Sequence, residues 1–219
     1  RPFIIKEDIE ESVIKVLAGP EKKSRKVIER ERRLTAYHEA GHALVIHALP
    51  TQDPVHQITI VPRGMAGGMT IHLPQEDKSF QSKKELTDRI AVCLGGRCAE
   101  EMVLGDISTG AGNDLQQASR IARNMVTRYG MSDKLGNVVF DSGHDEVFIG
   151  RSMAQAKSYS EETANLIDEE VKALLDEAYR VCQAILLRDR AKLEEVARYL
   201  LAHEVMDGKT FENIMKEQG

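Results

Sequence analysis

The chain has 219 residues, 42% hydrophobic and 30% charged, with a net charge of −5 at pH 7, which suits a soluble globular protein of one large or two small domains. The acidic balance argues against a dominant role in binding nucleic acid, and without Trp and with only 5% aromatics there is no stacking platform for single strands. No apolar run approaches the ~18 residues that span a bilayer, no cleavable secretory signal opens the chain, and Cys93, Cys98 and Cys182 are too scattered for a disulfide framework or a zinc ribbon.

Lys6 to Ala18 places Ile9, Val13, Val16 and Leu17 at helical spacing, and Gly19-Pro20 ends the pattern. The following Gly19 to Ser24 superficially resembles a phosphate-binding loop. It lacks the Gly before its Lys-Ser pair, and no strand precedes it. Lys22, Lys23, Arg25, Lys26, Arg30, Arg32 and Arg33 form a basic cluster interrupted by Glu21, Glu29 and Glu31. Such mixed runs are solvated helix faces as a rule, with an anionic membrane surface as the lesser alternative.

The next segment carries the chemistry. His38-Glu39-Ala40-Gly41-His42 lies among Leu34, Tyr37, Ala40, Leu44 and Val45, whose spacing predicts a helix. Four residues at ~100° each bring His42 within ~40° of His38 and ~6 Å further along the axis, so both imidazoles reach one cation. Glu39 falls on the flank of that face, where a carboxylate can exchange protons with water at the cation and with a leaving amine. Gly41 costs a helix interior ~1 kcal/mol relative to Ala and so demands a close-packed neighbour.

Beyond it, Val55 to Val61 and Met69 to Leu73 alternate in part between apolar and polar residues, and Arg63 to Gly68 joins them. This predicts a β-hairpin whose exposed edge, from Ala66 to His72, either takes an extended peptide as a further strand or is simply structural. Ser82 opens a helical pattern that runs to Gly105, and a second runs from Ala111 or Asn113 to Tyr129. Val138 to Phe140 reads as a short strand. From Tyr159 onward the pattern is purely helical, with one stripe through Leu166, Ile167, Val171, Leu174, Ala178, Val181 and Ile185 and another through Leu193, Val196, Leu200 and Leu201. These are expected to be antiparallel core-facing helices.

A catalytic zinc takes three protein ligands and an open position. The metzincin continuation would need Gly at 45 and His at 48, where this chain has Val45 and Ala48; His47 points ~140° away from His42. His56, His72, His144 and His203 have no partner at ligand spacing. Glu100, Glu101 and Asp114 are the acidic alternatives, and spacing does not choose among them.

The run Thr35 to Leu44, Leu94-Gly95-Gly96-Arg97 with Ala99-Glu100-Glu101, and Ser108-Thr109-Gly110-Ala111 with Asn113-Asp114-Leu115 together resemble the FtsH family, the membrane-anchored, ATP-dependent zinc proteases of peptidase family M41. The resemblance covers essentially the whole chain, and three motifs in order make it specific. Cys98 stands where Ala is common in that family. The resemblance implies one Zn²⁺ held by His38, His42 and Asp114, with Glu39 as general base and Glu100 and Glu101 in supporting roles. Ala66, Gly67, Gly68, Met69 and Thr70 become the candidate substrate-binding edge.

It further implies a mostly α (α+β) metalloprotease domain with a small β-hairpin and a C-terminal antiparallel helical bundle. Residues 1–24 would be a linker after an ATPase module, 25–150 the catalytic part and 151–219 the helical part. The ATPase module, with its ATP and Mg²⁺, and the membrane anchor would lie outside this chain. The complete protein is expected to be a homo-hexamer at the cytoplasmic face of a bacterial inner membrane, degrading unfolded or membrane proteins. Two rivals make different predictions: a structural zinc module needs a closed four-ligand site, and a nucleic-acid binder using Lys22 to Arg33 needs steeply salt-dependent binding.

Overall fold

The computed structural model describes residues 28–63, 66–73, 79–140 and 159–217, together with Ile9, Ser12, Lys15 and Val16. Most of the opening helix pattern and most of the basic cluster lie outside the described residues, as does His144.

Helix α1, Glu29–Ala48, is the axis of the molecule. Every residue from Ala36 to Ile46 is buried, which matches its lack of a single apolar face: a helix enclosed on all sides needs no polar stripe. Glu29 and Glu31 occupy its first turn, where carboxylates favour the helix dipole. Leu49 turns extended at the other end, as a residue before Pro50 is sterically inclined to do.

Helix α2, Lys83–Leu104, starts on a full capping box. Ser82 Oγ accepts the Glu85 N–H at 3.2 Å and Glu85 Oε2 accepts the Ser82 N–H at 2.7 Å. Gly105 ends it at φ 66°, the left-handed cap glycine supplies without strain. Helices α1 and α2 approach backbone to backbone. A Cβ on Gly41 would stand 2.5 Å from the Gly95 carbonyl oxygen and 2.6 Å from Ala99 Cβ, and one on Gly95 would stand 3.0 Å from the Gly41 oxygen. The neighbour that Gly41 demands is therefore Gly95 of α2, with Ala99 one turn on.

A 3₁₀ turn, Thr109–Ala111, leads into α3, Gly112–Thr127. Helix α4, Glu161–Arg188, and α5, Arg190–His203, follow, with α6, Gly208–Lys216, at the end. Helix α4 packs mainly on α2 and α3, and α5 packs mainly on α1. Two stripes that look alike in sequence thus face different partners. The core includes Leu44, Ile58, Ile90, Met125, Leu186, Leu193, Leu200 and Phe211, all fully buried. Cys93, Cys98 and Cys182 are buried free thiols; burial pushes Cys93 and Cys98 up to about 11.

The hairpin forms as β1, Val55–Thr59, and β2, Met69–His72, antiparallel with Ile58 opposite Thr70 and Thr59 opposite Met69. A third strand, β3, Val205–Asp207, joins the other side of β1, with Ile58 opposite Met206. The sheet order is β2-β1-β3. This corrects the purely helical reading of the C-terminal segment. Glu204 closes α5 at φ 65°, and Asp207 Oδ1 accepts the Thr210 N–H at 2.7 Å to start α6, so Val205 and Met206, held between two caps, form a strand with Asp207.

Val138 to Phe140 is no strand. The Phe140 N–H donates to the Thr127 carbonyl at 2.8 Å, pinning the segment to the end of α3 without a ladder. Among the described residues, no helix is long and apolar enough to cross a membrane.

Candidate metal centre

The two imidazoles of α1 are fixed through their Nδ1 atoms. His42 Nδ1 lies 2.7 Å from the Val92 carbonyl oxygen of α2. A carbonyl only accepts, so this nitrogen carries the hydrogen and the Nε2 of a neutral ring presents a lone pair. His38 Nδ1 lies 2.7 Å from Glu100 Oε1. The Glu100 carboxylate is fully buried, and its other oxygen accepts the Ser108 N–H at 2.8 Å.

Gly96 makes room for the His38 ring: a Cβ there would stand 2.5 Å from Cε1 and 2.6 Å from both ring nitrogens. Gly95 and Gly96 answer two separate demands of α1. Gly95 meets the α1 backbone and Gly96 meets the His38 ring.

Both Nε2 atoms converge on a third group. They lie 3.0 Å apart, and Asp114 Oδ2, from the first turn of α3, lies 3.2 Å from His38 Nε2 and 3.6 Å from His42 Nε2. Three electron-pair donors so placed repel unless a positive charge stands among them. Zinc ligands ~2.0–2.2 Å from the ion at tetrahedral angles are themselves ~3.3–3.6 Å apart. The triangle measured here fits that cation in donor chemistry and nearly in size.

The local charges tell the same story. Burial lowers the basicity of His38, yet hydrogen bonds to Asp114 and Glu100 outweigh it and lift the imidazole to about 10. Burial raises Asp114, and the two imidazoles overcome it and hold the carboxyl well below the usual range. Glu100 is likewise lowered, its burial offset by His38 and Ser108. The site attracts positive charge.

Glu39 lies beside this triangle, 6% exposed. Burial raises its pKa above that of an ordinary glutamate, against the imidazoles and Thr70, which lower it. Thr70 Oγ1 donates to Glu39 Oε2 at 2.8 Å and also contacts the Glu39 carbonyl oxygen at 3.0 Å. Gly68 packs on the Glu39 stem, where a Cβ would approach Cγ to 2.9 Å.

A cleft of about 780 Å³ opens over these groups. Ala66, Gly67, Gly68, Met69 and Thr70 all line it, with Thr109 and Gly110 of the 3₁₀ turn and Asn113 at the start of α3. Strand β2 is an edge strand: among the described residues only β1 pairs with it.

Of the three acidic alternatives, Glu101 turns away and accepts a hydrogen bond from the Tyr179 hydroxyl of α4. Glu100 binds the far side of the His38 ring, and Asp114 meets both Nε2 atoms. His47 contacts Glu212 at 3.1 Å and His203 donates to the Tyr199 carbonyl at 3.0 Å. His72, discounted for want of a partner at ligand spacing, lines the cleft with Arg89, Gln52 and Gln117. No motif marked these residues, because they reach the cleft from four separate places: Gln52 between α1 and β1, His72 on β2, Arg89 on α2 and Gln117 on α3.

His38, His42 and Asp114 are the metal-capable group found among the described residues, with one donor atom from each within 4.8 Å of the others. Two helix-borne imidazoles, an acid from a second helix and a buried carboxylate alongside belong to the chemistry of zinc hydrolases; the class is that of zinc metalloproteases. The chain belongs to peptidase family M41, whose model matches residues 25–214.

It is 50% identical over 211 residues to the ATP-dependent zinc metalloprotease FtsH of Caldicellulosiruptor bescii, covering 96% of this chain and 34% of that protein. It is 53% identical over 208 residues to FtsH 2 of Alkaliphilus metalliredigens, covering 95% and 30%. It is 49% identical over 207 residues to FtsH 1 of a Thermoanaerobacter species, covering 94% and 34%. The chain spans about a third of the length of these relatives.

Proposed function

We propose that this chain is the endopeptidase part of a membrane-anchored, ATP-dependent protease, with His38, His42 and Asp114 as zinc ligands and Glu39 as the proton carrier. The observation that carries the reading is the convergence of two Nε2 atoms and one carboxylate oxygen beside Glu39, on the wall of a strand-edged cleft. A zinc ion bound there supplies Lewis-acid polarisation of the scissile carbonyl and acidifies its water.

The protein's own residues do the rest. Glu39 Oε takes the proton of the attacking water and returns it to the departing nitrogen. Burial favours its neutral form, so Glu39 takes the proton up readily in that first transfer, and the far more basic departing nitrogen then draws it off. Thr70 holds the carboxylate in place through Oε2, and the β2 edge aligns the substrate backbone by strand addition. Val92 and Glu100 keep both rings turned toward the ion.

In the complete protein we assign residues 1–24 to the linker after the ATPase module, 25–150 to the catalytic part and 151–219 to the helical part. That protein uses ATP and Mg²⁺ to deliver unfolded or membrane proteins to a homo-hexameric chamber at the cytoplasmic face of a bacterial inner membrane.

The test is degradation of a loosely folded protein by the zinc-loaded protein and by Glu39→Gln. Removal of the proton carrier should cost about 10²–10⁴-fold in turnover while zinc stays bound. Equal turnover by the two would overturn the assignment of Glu39.

A further inference from the structure

Resting on the peptidase reading of the cleft, the structure assigns to Arg89 a role in choosing substrates. We propose that Arg89 forms a carboxylate-binding subsite, so that peptides carrying Asp or Glu two or three residues from the scissile bond, on the side toward the end of β2, are preferred.

The cleft differs from end to end. Near its start Gly67 and Gly68 pack on Thr35, and Thr70 meets Glu39 at the centre. Strand β2 finishes at His72. Helix α2 crosses the same wall in the opposite sense to α1: Gly96 abuts the His38 ring, the Val92 carbonyl meets His42, and Arg89 is one turn further. Seven residues of helix place Arg89 about 10 Å from the level of Gly96, and three place it about 5 Å from that of Val92, a span that two or three residues of extended substrate cover. Arg89 and His72 both line the cleft at that end.

Arg89 is the one Lys or Arg among the described residues that line the cleft. The two lining carboxylates are committed elsewhere, Glu39 to Thr70 and Asp114 to the imidazoles. The positive field of Arg89 is felt on both sides: after burial it is the next influence lowering His72, and it opposes the rise of the Cys93 thiol. A solvent-facing guanidinium in a peptide-sized cleft binds a carboxylate through parallel N–H donors, a geometry for which Lys is no substitute.

The experiment uses fluorogenic peptides with one variable position scanned through Asp, Asn and Lys on either side of the cleavage site, each made with a free and an amidated C-terminus. Cleavage is followed with the zinc-loaded protein, and binding of the same peptides is followed by fluorescence anisotropy with Glu39→Gln. The expected result is an Asp over Asn preference of about threefold to fivefold, the range of an exposed ion pair, at one position two or three residues from the bond. It should weaken as salt is added. Arg89→Gln should bring the ratio to one, and Arg89→Glu should favour Lys, with the all-neutral peptide handled as before.

A preference carried by the free C-terminus alone would overturn the side-chain assignment in favour of terminal-carboxylate capture. Equal Asp and Asn binding at every position, or a ratio unchanged in Arg89→Gln, would overturn the subsite altogether. Cleavage of the neutral peptide that depends on Glu39 would leave the peptidase reading standing in either case.

Discussion

Gly96→Ala should separate metal binding from folding. The new methyl would lie 2.5 Å from Cε1 and 2.6 Å from Nδ1 and Nε2 of His38, against the ~3.5–4.0 Å of an ordinary carbon contact, so the ring must retreat by about 1 Å. It has little freedom to do so, because Nδ1 is held at 2.7 Å by Glu100, which also anchors Ser108. Alanine gains ~1 kcal/mol over glycine in a helix interior, and overpacking costs ~1–3 kcal/mol. The net loss of about 0–2 kcal/mol leaves the fold intact.

The Nε2 atom, however, leaves the point it shares with His42 and Asp114, and disturbed ligand orientation costs about 10–100-fold in metal affinity. Each tenfold loss removes about 1.4 kcal/mol of zinc-linked stability at fixed, saturating free zinc. Competition against a chromophoric chelator measures the affinity, and thermal unfolding with and without EDTA measures the linked stability. Wild-type zinc affinity in a folded Gly96→Ala protein would refute the claim that Gly96 exists to seat the ring.

Glu100→Gln should weaken zinc binding about 10–100-fold, because its amide cannot accept both the His38 ring hydrogen and the Ser108 N–H; the chelator competition that gives an unaltered affinity would remove its positioning role. Stability should also depend on pH through Glu170, whose pKa is lowered first by Lys134 at 2.8 Å and then by the Ser132 hydroxyl at 2.8 Å. A depressed carboxyl contributes stability above its unfolded value, about 4.3, and loses it as pH falls through the lower folded value. Denaturant midpoints of wild type and Glu170→Gln should therefore differ at neutral pH and converge in acid, and a gap that persists below both values would contradict this account.

The sequence by itself determined the chemistry that is local. A four-residue spacing on one helix is enough to bring His38 and His42 to a common point and Glu39 to its flank, because helix geometry is nearly invariant. The helix start at Ser82, the stop at Gly105 and the hairpin of Val55 to Val61 with Met69 to Leu73 were legible for the same reason: each is set by neighbours in the chain. The need of Gly41 for a close partner could be stated as well.

Only the tertiary structure decided what depends on distant pairing. Gly95 as that partner, and Gly96 as the seat of the His38 ring, follow from how α1 and α2 cross. Glu100, Glu101 and Asp114 are equivalent as carboxylates, and what separates them is direction: toward the back of His38, toward Tyr179 of α4, and toward both Nε2 atoms. Strand β3 is three residues long and pairs Met206 with Ile58, so no local pattern could announce it. Val138 to Phe140 had strand-like side chains and no strand to join, since a β-strand exists only through a partner's hydrogen bonds.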